Sequence, residues 1–205
     1  AVGTAEWTGA PLKYLLERAG LAPDAVEVAF FGADRGFDAG IEHDYGRSLA
    51  PDIAMSDDVL LAHTMNGEPL LPQHGFPLRL VVPGWYGMAS VKWLNRIEVL
   101  DRPFDGHQQV GTYIYRQHGS DPGIPVTHIR VKSLMVPPGI PDWYTRRRLV
   151  ELGPVELFGR AWSGGGVPVA KVEVGVDGEW QEATLEPDAG RYAWRGWRFT
   201  WDAEP

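Results

Sequence analysis

The chain has 205 residues and a mass of 22.7 kDa, room for one large domain or two small ones. A chain of this size hides roughly 70% of its unfolded surface on folding, so a real core is expected. Nineteen Lys and Arg face 27 Asp and Glu, a net charge of −8, which argues against a nucleic-acid backbone binder. With no cysteine there is no disulfide framework, thiolate-bound zinc or iron–sulfur cluster, CxxCH haem site or thiol nucleophile. No apolar run approaches the ~20 residues that span a bilayer. The opening AVGTAEWTGAPL has neither a basic nor an apolar leader region, so no signal peptide is expected in this chain, and the compartment is left open. Twenty-five Gly, 17 Pro and nine Trp suit a turn-rich protein with large aromatic anchors, not a helical bundle.

In chain order, Leu12, Leu15, Leu16 and Ala19 fall on one helical face, and Pro11 and Gly20 suit the two ends, predicting a helix over Pro11–Ala19. Val26–Phe31 reads as a buried strand, followed by a loop through Asp34, Arg35, Asp38 and Gly40. Pro51–Met55 suits a short helix and Val59–Met65 a strand, closed by the tight-turn pair Asn66-Gly67. Glu68–Pro77 is too proline-rich for regular structure. Leu78–Val82 is a strand with Arg79 inside it, and a further apolar stretch runs from Ser90 to Leu100.

Prolines crowd Gln117–Pro141, which predicts a linker over 119–143 between a domain at 1–118 and a second at 144–205. The second is all-β in pattern: Val172, Val174 and Val176 alternate with polar or small residues before an Asp177-Gly178 hairpin turn, and Trp194, Trp197, Phe199 and Trp201 follow. It reads as the start of an immunoglobulin-like sandwich. Its 62 residues fall short of the ~100 that such a domain uses, so the sandwich is expected to be incomplete.

Standard catalytic motifs are absent, and the six histidines show no metal-ligand spacing. Ser163-Gly164-Gly165-Gly166 lies between strand-like segments and reads as a wide turn rather than a phosphate loop. Arg146-Arg147-Arg148 reads chiefly as a solvated basic face. One constellation stands above this background. His74-Gly75-Phe76-Pro77-Leu78-Arg79 precedes Val82-Pro83-Gly84-Trp85-Tyr86-Gly87 and Ser90-Val91-Lys92-Trp93-Leu94. A His, an Arg and a Lys beside glycine-exposed backbone N–H groups make a site for a phosphorylated ligand; a structural turn with exposed charges is the competing reading.

The run MNGEPLLPQHGFPLRLVVPGWYGMASVKWLNRI resembles the molybdopterin-binding core of the sulfite oxidase family. AEWTGAPLKYLLERAG resembles the segment after that family's molybdenum-ligating cysteine. GRAWSGGG, VAKVEVGVDGEWQEATL and YAWRGWRF are similar to its immunoglobulin-like dimerisation domain. The resemblance implies an α+β molybdopterin fold, present in part, followed by the incomplete sandwich. It implies a molybdenum–molybdopterin cofactor without haem in this chain, held by Asp34, His74, Arg79, Ser90, Val91 and Lys92. It also implies an active-site tyrosine at Tyr113, with Tyr115 as the fallback.

Sulfite oxidation to sulfate, with electrons passed to an external acceptor such as a cytochrome, is the first functional reading. Nitrate or sulfoxide reduction on the same cofactor is the alternative, and a cofactor-free module the third. The partners implied are a small anionic substrate and a second copy joined through the C-terminal domain, with no nucleic acid and no membrane span. Three departures accompany the resemblance. The family's molybdenum-ligating cysteine has no counterpart here, Val167-Pro168 stands where relatives place an arginine, and GMASVK differs from the Arg- and His-bearing version of the animal sulfite oxidases.

Overall fold

The structure is a computed structural model that describes residues 3–204. The chain divides between His128 and Ile129 into two compact units. In the first, β1 (Trp7–Pro11) leads into α1 (Leu12–Ala19), then β2 (Glu27–Asp38), β3 (Ile41–Leu49), α2 (Pro51–Ala54), β4 (Leu60–Met65) and β5 (Glu68–Pro69). After these come β6 (Arg79–Val81), β7 (Leu94–Leu100), β8 (Ile114–Tyr115) and β9 (Ile124–Pro125). The helices have only eight and four residues. The fold is therefore mostly β with few helices, in several antiparallel sheets, so the α component of the expected α+β fold is small.

Strands β8 and β9 form a separate two-stranded pair, and two larger sheets build the core of this unit. One has β4 at its centre, paired with β1 along one edge and with β5 and β6 along the other; the second has the order β3-β2-β7. Their apolar faces meet in one core of Leu12, Leu16, Val28, Phe30, Leu49, Leu61, Leu80, Val82, Val91 and Leu94 with neighbouring side chains. Alternation puts Val28 and Phe30 on the same face of β2, and both are completely buried.

The loop expected through Asp34–Gly40 is instead the outer half of a hairpin. Its composition is a poor β-former, but Arg35 on β2 pairs with Glu42 at 3.2 Å and Asp44 at 3.8 Å on β3, while Ala39 and Gly40, both at positive φ, close the turn. The register breaks between Phe31 and Arg35 against β3, and between Phe31 and Gly32 against β7. Asp34 sits in that irregularity, off the ladder, as bulges re-aim side chains.

The second unit holds β10 (Lys132–Val136), β11 (Ile140–Pro141), β12 (Arg148–Leu149), β13 (Gly153–Trp162), β14 (Glu173–Val176), β15 (Glu179–Glu182), β16 (Thr184–Leu185) and β17 (Arg195–Ala203). Its main sheet has the order β10-β13-β17-β16. Strand β10 falls within the stretch 119–143 read as a linker, and its five residues pair with β13. Leu157, Ala161, Val172, Ala183 and Trp197 form a separate core, and Trp162 stacks on Trp194 at 4.6 Å. Asp177-Gly178 makes the β14–β15 turn, both residues at positive φ.

Removing the Phe30 ring leaves a cavity that both sheets of the first unit line. Phe30→Ala is expected to destabilise that unit by about 3–5 kcal/mol, read as a lower denaturant midpoint with unchanged slope.

Candidate functional site

One cavity, of about 510 Å³, is lined by Asp34, Tyr45, Arg79, Gly87, Met88, Ser90, Lys92, Trp93 and Tyr113. Five of the seven residues singled out from the sequence thus share one wall: Asp34, Arg79, Ser90, Lys92 and Tyr113. His74 lines a different hollow, with Met65, Asn66 and Leu70. Val91 is fully buried in the core, and its carbonyl accepts a hydrogen bond from the Leu80 N–H. Tyr115 lies in the short strand β8 and is not among the lining residues.

Arg79 opens β6, half-buried. Its Nη1 donates to the His74 carbonyl and its Nη2 to the Ser90 carbonyl, both at 3.0 Å, and its guanidinium lies 4.7 Å from the centre of the Trp7 ring. No described carboxylate compensates it, and burial pushes its pKa below the ordinary guanidinium value. A cation in that position is costly unless an anion joins it. Its fork carries five N–H donors, so donors remain for a ligand.

Lys92 places a second cation on the same wall. Its Nζ donates to the Gln73 carbonyl at 3.2 Å and lies 4.2 Å from the centre of the Trp93 ring, while the Trp93 indole donates to the Pro72 carbonyl at 2.8 Å. The turn that supplies these carbonyls ends at Gly75, at φ +101. A Cβ there would stand 2.9 Å from Lys92 Cβ and 3.2 Å from Arg79 Cβ, so only glycine lets the turn press this close to both cations.

On β2, a Cβ on Gly32 would meet an Asp34 carboxylate oxygen at 2.2 Å and the Lys92 carbonyl at 2.7 Å. Its absence lets Asp34 fold back over the strand. The Ser90 hydroxyl accepts from the Val82 N–H at 3.1 Å, which leaves its own O–H to donate. The wall therefore presents two cations and a hydroxyl donor beside one carboxylate, a set matched to an anionic group attached to a polar, N–H-bearing ring system.

Sequence reasoning missed Tyr45, Met88 and Trp93 as lining residues. The Tyr45 hydroxyl donates to the Met88 carbonyl at 2.6 Å. Tyr45 and Arg47 alternate on β3, a pattern that would have flagged both once a strand was assigned there.

The family model for the oxidoreductase molybdopterin-binding domain matches residues 1–108. Sulfite oxidase of Drosophila melanogaster is 37% identical over 96% of this chain and 36% of its own length, and human sulfite oxidase 36% identical over 97% and 38%. An NADH nitrate reductase of Phaseolus vulgaris is 33% identical over 89% of this chain and 23% of its own. Among solved structures, the sulfane dehydrogenase SoxCD of Paracoccus pantotrophus superposes with a TM-score of 0.81 at 32% identity, covering 97% of this chain and 48% of that one. The chain thus spans less than half the length of these relatives.

Burial pushes the Tyr45 phenol up to about 12, above the ~10 of an unfolded tyrosine. The unfolded chain therefore loses this proton first. Stability contributed by Tyr45 is complete below pH ~10 and declines as pH rises towards about 12. Tyr45→Phe is expected to flatten that part of the plot of melting temperature against pH.

Proposed function

The chain belongs to the oxidoreductase molybdopterin-binding family, and we propose that the cavity walled by Asp34, Arg79, Ser90 and Lys92 holds the phosphorylated pterin of a molybdenum–molybdopterin cofactor. The observation that carries this is Arg79: a half-buried guanidinium with no carboxylate partner among the described residues, fixed by two backbone carbonyls at the cavity wall. Arg79, Lys92 and the Ser90 hydroxyl would receive the phosphate, and Asp34 would accept from pterin N–H groups. His74 would contribute through its carbonyl, which aims Arg79, and Val91 by anchoring Lys92 to the core.

The fit is to the phosphate and pterin end of the cofactor. None of the 205 residues is a cysteine, so a thiolate for the metal does not come from this chain. When bound, the cofactor supplies two-electron oxygen-atom transfer. The chain's own part is to bind and orient. With Arg79 and Lys92 engaged by the phosphate, Tyr113, exposed at the cavity, is the group placed to meet a small anion and to hold or pass its proton.

For the longer protein the reading is oxidation of sulfite to sulfate, with electrons released to an external acceptor such as a cytochrome. The sulfite oxidases among the relatives support it; the nitrate reductase supports nitrate reduction as the second reading. The second unit is read as part of an immunoglobulin-like dimerisation domain, supported by the exposed edge strand β10 with Leu134, Met135 and Val136 outward.

Calorimetric titration with molybdopterin tests the site. Lys92→Gln is expected to weaken binding by about tenfold to a hundredfold, the loss of one charge-assisted bond, without changing the melting temperature. Unchanged affinity would show that the phosphate binds elsewhere. In the molybdenum-loaded enzyme, Tyr113→Phe is expected to lower turnover of sulfite or of nitrate, and the substrate affected separates the two readings.

A further inference from the structure

Arg47 is the most deeply buried charge among the described residues, 1% exposed, and no sequence motif pointed to it. Burial pushes its pKa below the ordinary guanidinium value, against the attraction of Tyr45, Tyr113 and Glu27. Its Nε has no hydrogen-bond partner among the described residues. A guanidinium held like this is expensive, and its two hydrogen bonds show what it does there.

Nη1 donates to the Gln108 carbonyl at 2.7 Å and Nη2 to the Val126 carbonyl at 3.0 Å. These are the two residues to which Tyr113 itself is bonded: its N–H donates to the Gln108 carbonyl at 3.4 Å, and its carbonyl accepts from the Val126 N–H at 2.9 Å. One planar fork thus ties together the backbone segments that grip Tyr113 from either side. The next residue along β3 completes the clamp. The Ser48 N–H donates to Gln109 Oε1, the Gln109 amide donates back to the Ser48 hydroxyl, and that hydroxyl donates to Glu27, which also accepts from the Phe104 N–H. Tyr113 follows a π-type turn, Gln108–Thr112, and is otherwise 41% exposed. The β8–β9 pairing begins at the next residue, Ile114, so the Arg47 fork and that short pairing together hold the backbone on which Tyr113 is carried.

We propose that Arg47 is the positioning residue of Tyr113: through the Gln108 and Val126 carbonyls it sets where the Tyr113 ring stands at the cavity. This rests on the reading of Tyr113 as the site tyrosine, although the positioning itself is a property of this chain without its cofactor. Lysine keeps the charge but cannot bridge two carbonyls with one ammonium, so Arg47→Lys separates the bridge from the charge.

The test is fluorine NMR of the chain labelled with 3-fluorotyrosine, the Tyr113 resonance being assigned by its loss in Tyr113→Phe. Arg47→Lys is expected to shift and broaden the Tyr113 signal while leaving the signals of tyrosines remote from the clamp, such as Tyr14 and Tyr192, in place. An unmoved Tyr113 signal in a folded Arg47→Lys variant would overturn the proposal. If that variant does not fold, the wild-type chain still decides. Slow solvent exchange of the Arg47 Nη protons and measurable couplings across both hydrogen bonds are expected, and rapidly exchanging, uncoupled Nη protons would overturn it. Turnover of the loaded Tyr113→Phe enzyme then tests the tyrosine's role separately. Unchanged turnover would remove Tyr113 from the chemistry without touching the fluorine result.

Discussion

A guanidinium that carries its charge into a half-buried wall must be offset, and Arg79 is offset by carbonyl oxygens rather than by a carboxylate. Carbonyl dipoles hold the fork in place without cancelling its charge, so the cation remains available to an anion arriving in the cavity. Much of the surrounding structure follows from that constraint. The turn over 72–75 has to bring the His74 carbonyl within reach, the strand β6 has to present Arg79 at its first position, and the 87–90 turn has to return the Ser90 carbonyl to the same fork. In a chain of net charge −8, the arrangement concentrates positive charge at one place on an otherwise acidic protein.

The β scaffold delivers the other groups through its irregularities. A regular β2 would place successive side chains alternately on the two faces of the sheet; the break after Phe31 lifts Asp34 off the ladder, and the bare Gly32 lets its carboxylate lie back towards Lys92. Behind the wall, β3 turns consecutive residues to one task, with Arg47 gripping the backbone around Tyr113 and Ser48 gripping Gln109. The cavity is thus lined by groups from five separate stretches of chain, held by backbone hydrogen bonds more than by paired charges.

The legible parts of the sequence were those where local pattern and tertiary demand agree. The apolar spacing of Leu12 and Leu16 gave the helix, the Asn66-Gly67 pair the β4–β5 turn, and the crowding of His, Arg, Lys and Gly between 74 and 92 the cationic wall. Asp34, Arg79, Ser90, Lys92 and Tyr113 do share one cavity. The outer hairpin was hidden because its residues are ordered by ladder pairing with another strand, Arg35 to Asp44 through Asp38 to Ile41, which no local propensity records. Strand β10 was hidden by the prolines around it. Arg47 was hidden for the same reason as the hairpin: a lone arginine in a polar stretch reads as surface until its strand is known to face inward.

The cationic wall of Arg79 and Lys92 is proposed to receive the phosphate of a pterin cofactor. A crystal structure of the protein with molybdopterin bound tests it most directly. The phosphate is expected within hydrogen-bonding distance of the Arg79 guanidinium, Lys92 Nζ and the Ser90 hydroxyl, with the pterin edge towards Asp34. A phosphate found away from all three, for example on the Arg146–Arg148 face of the second unit, would contradict it.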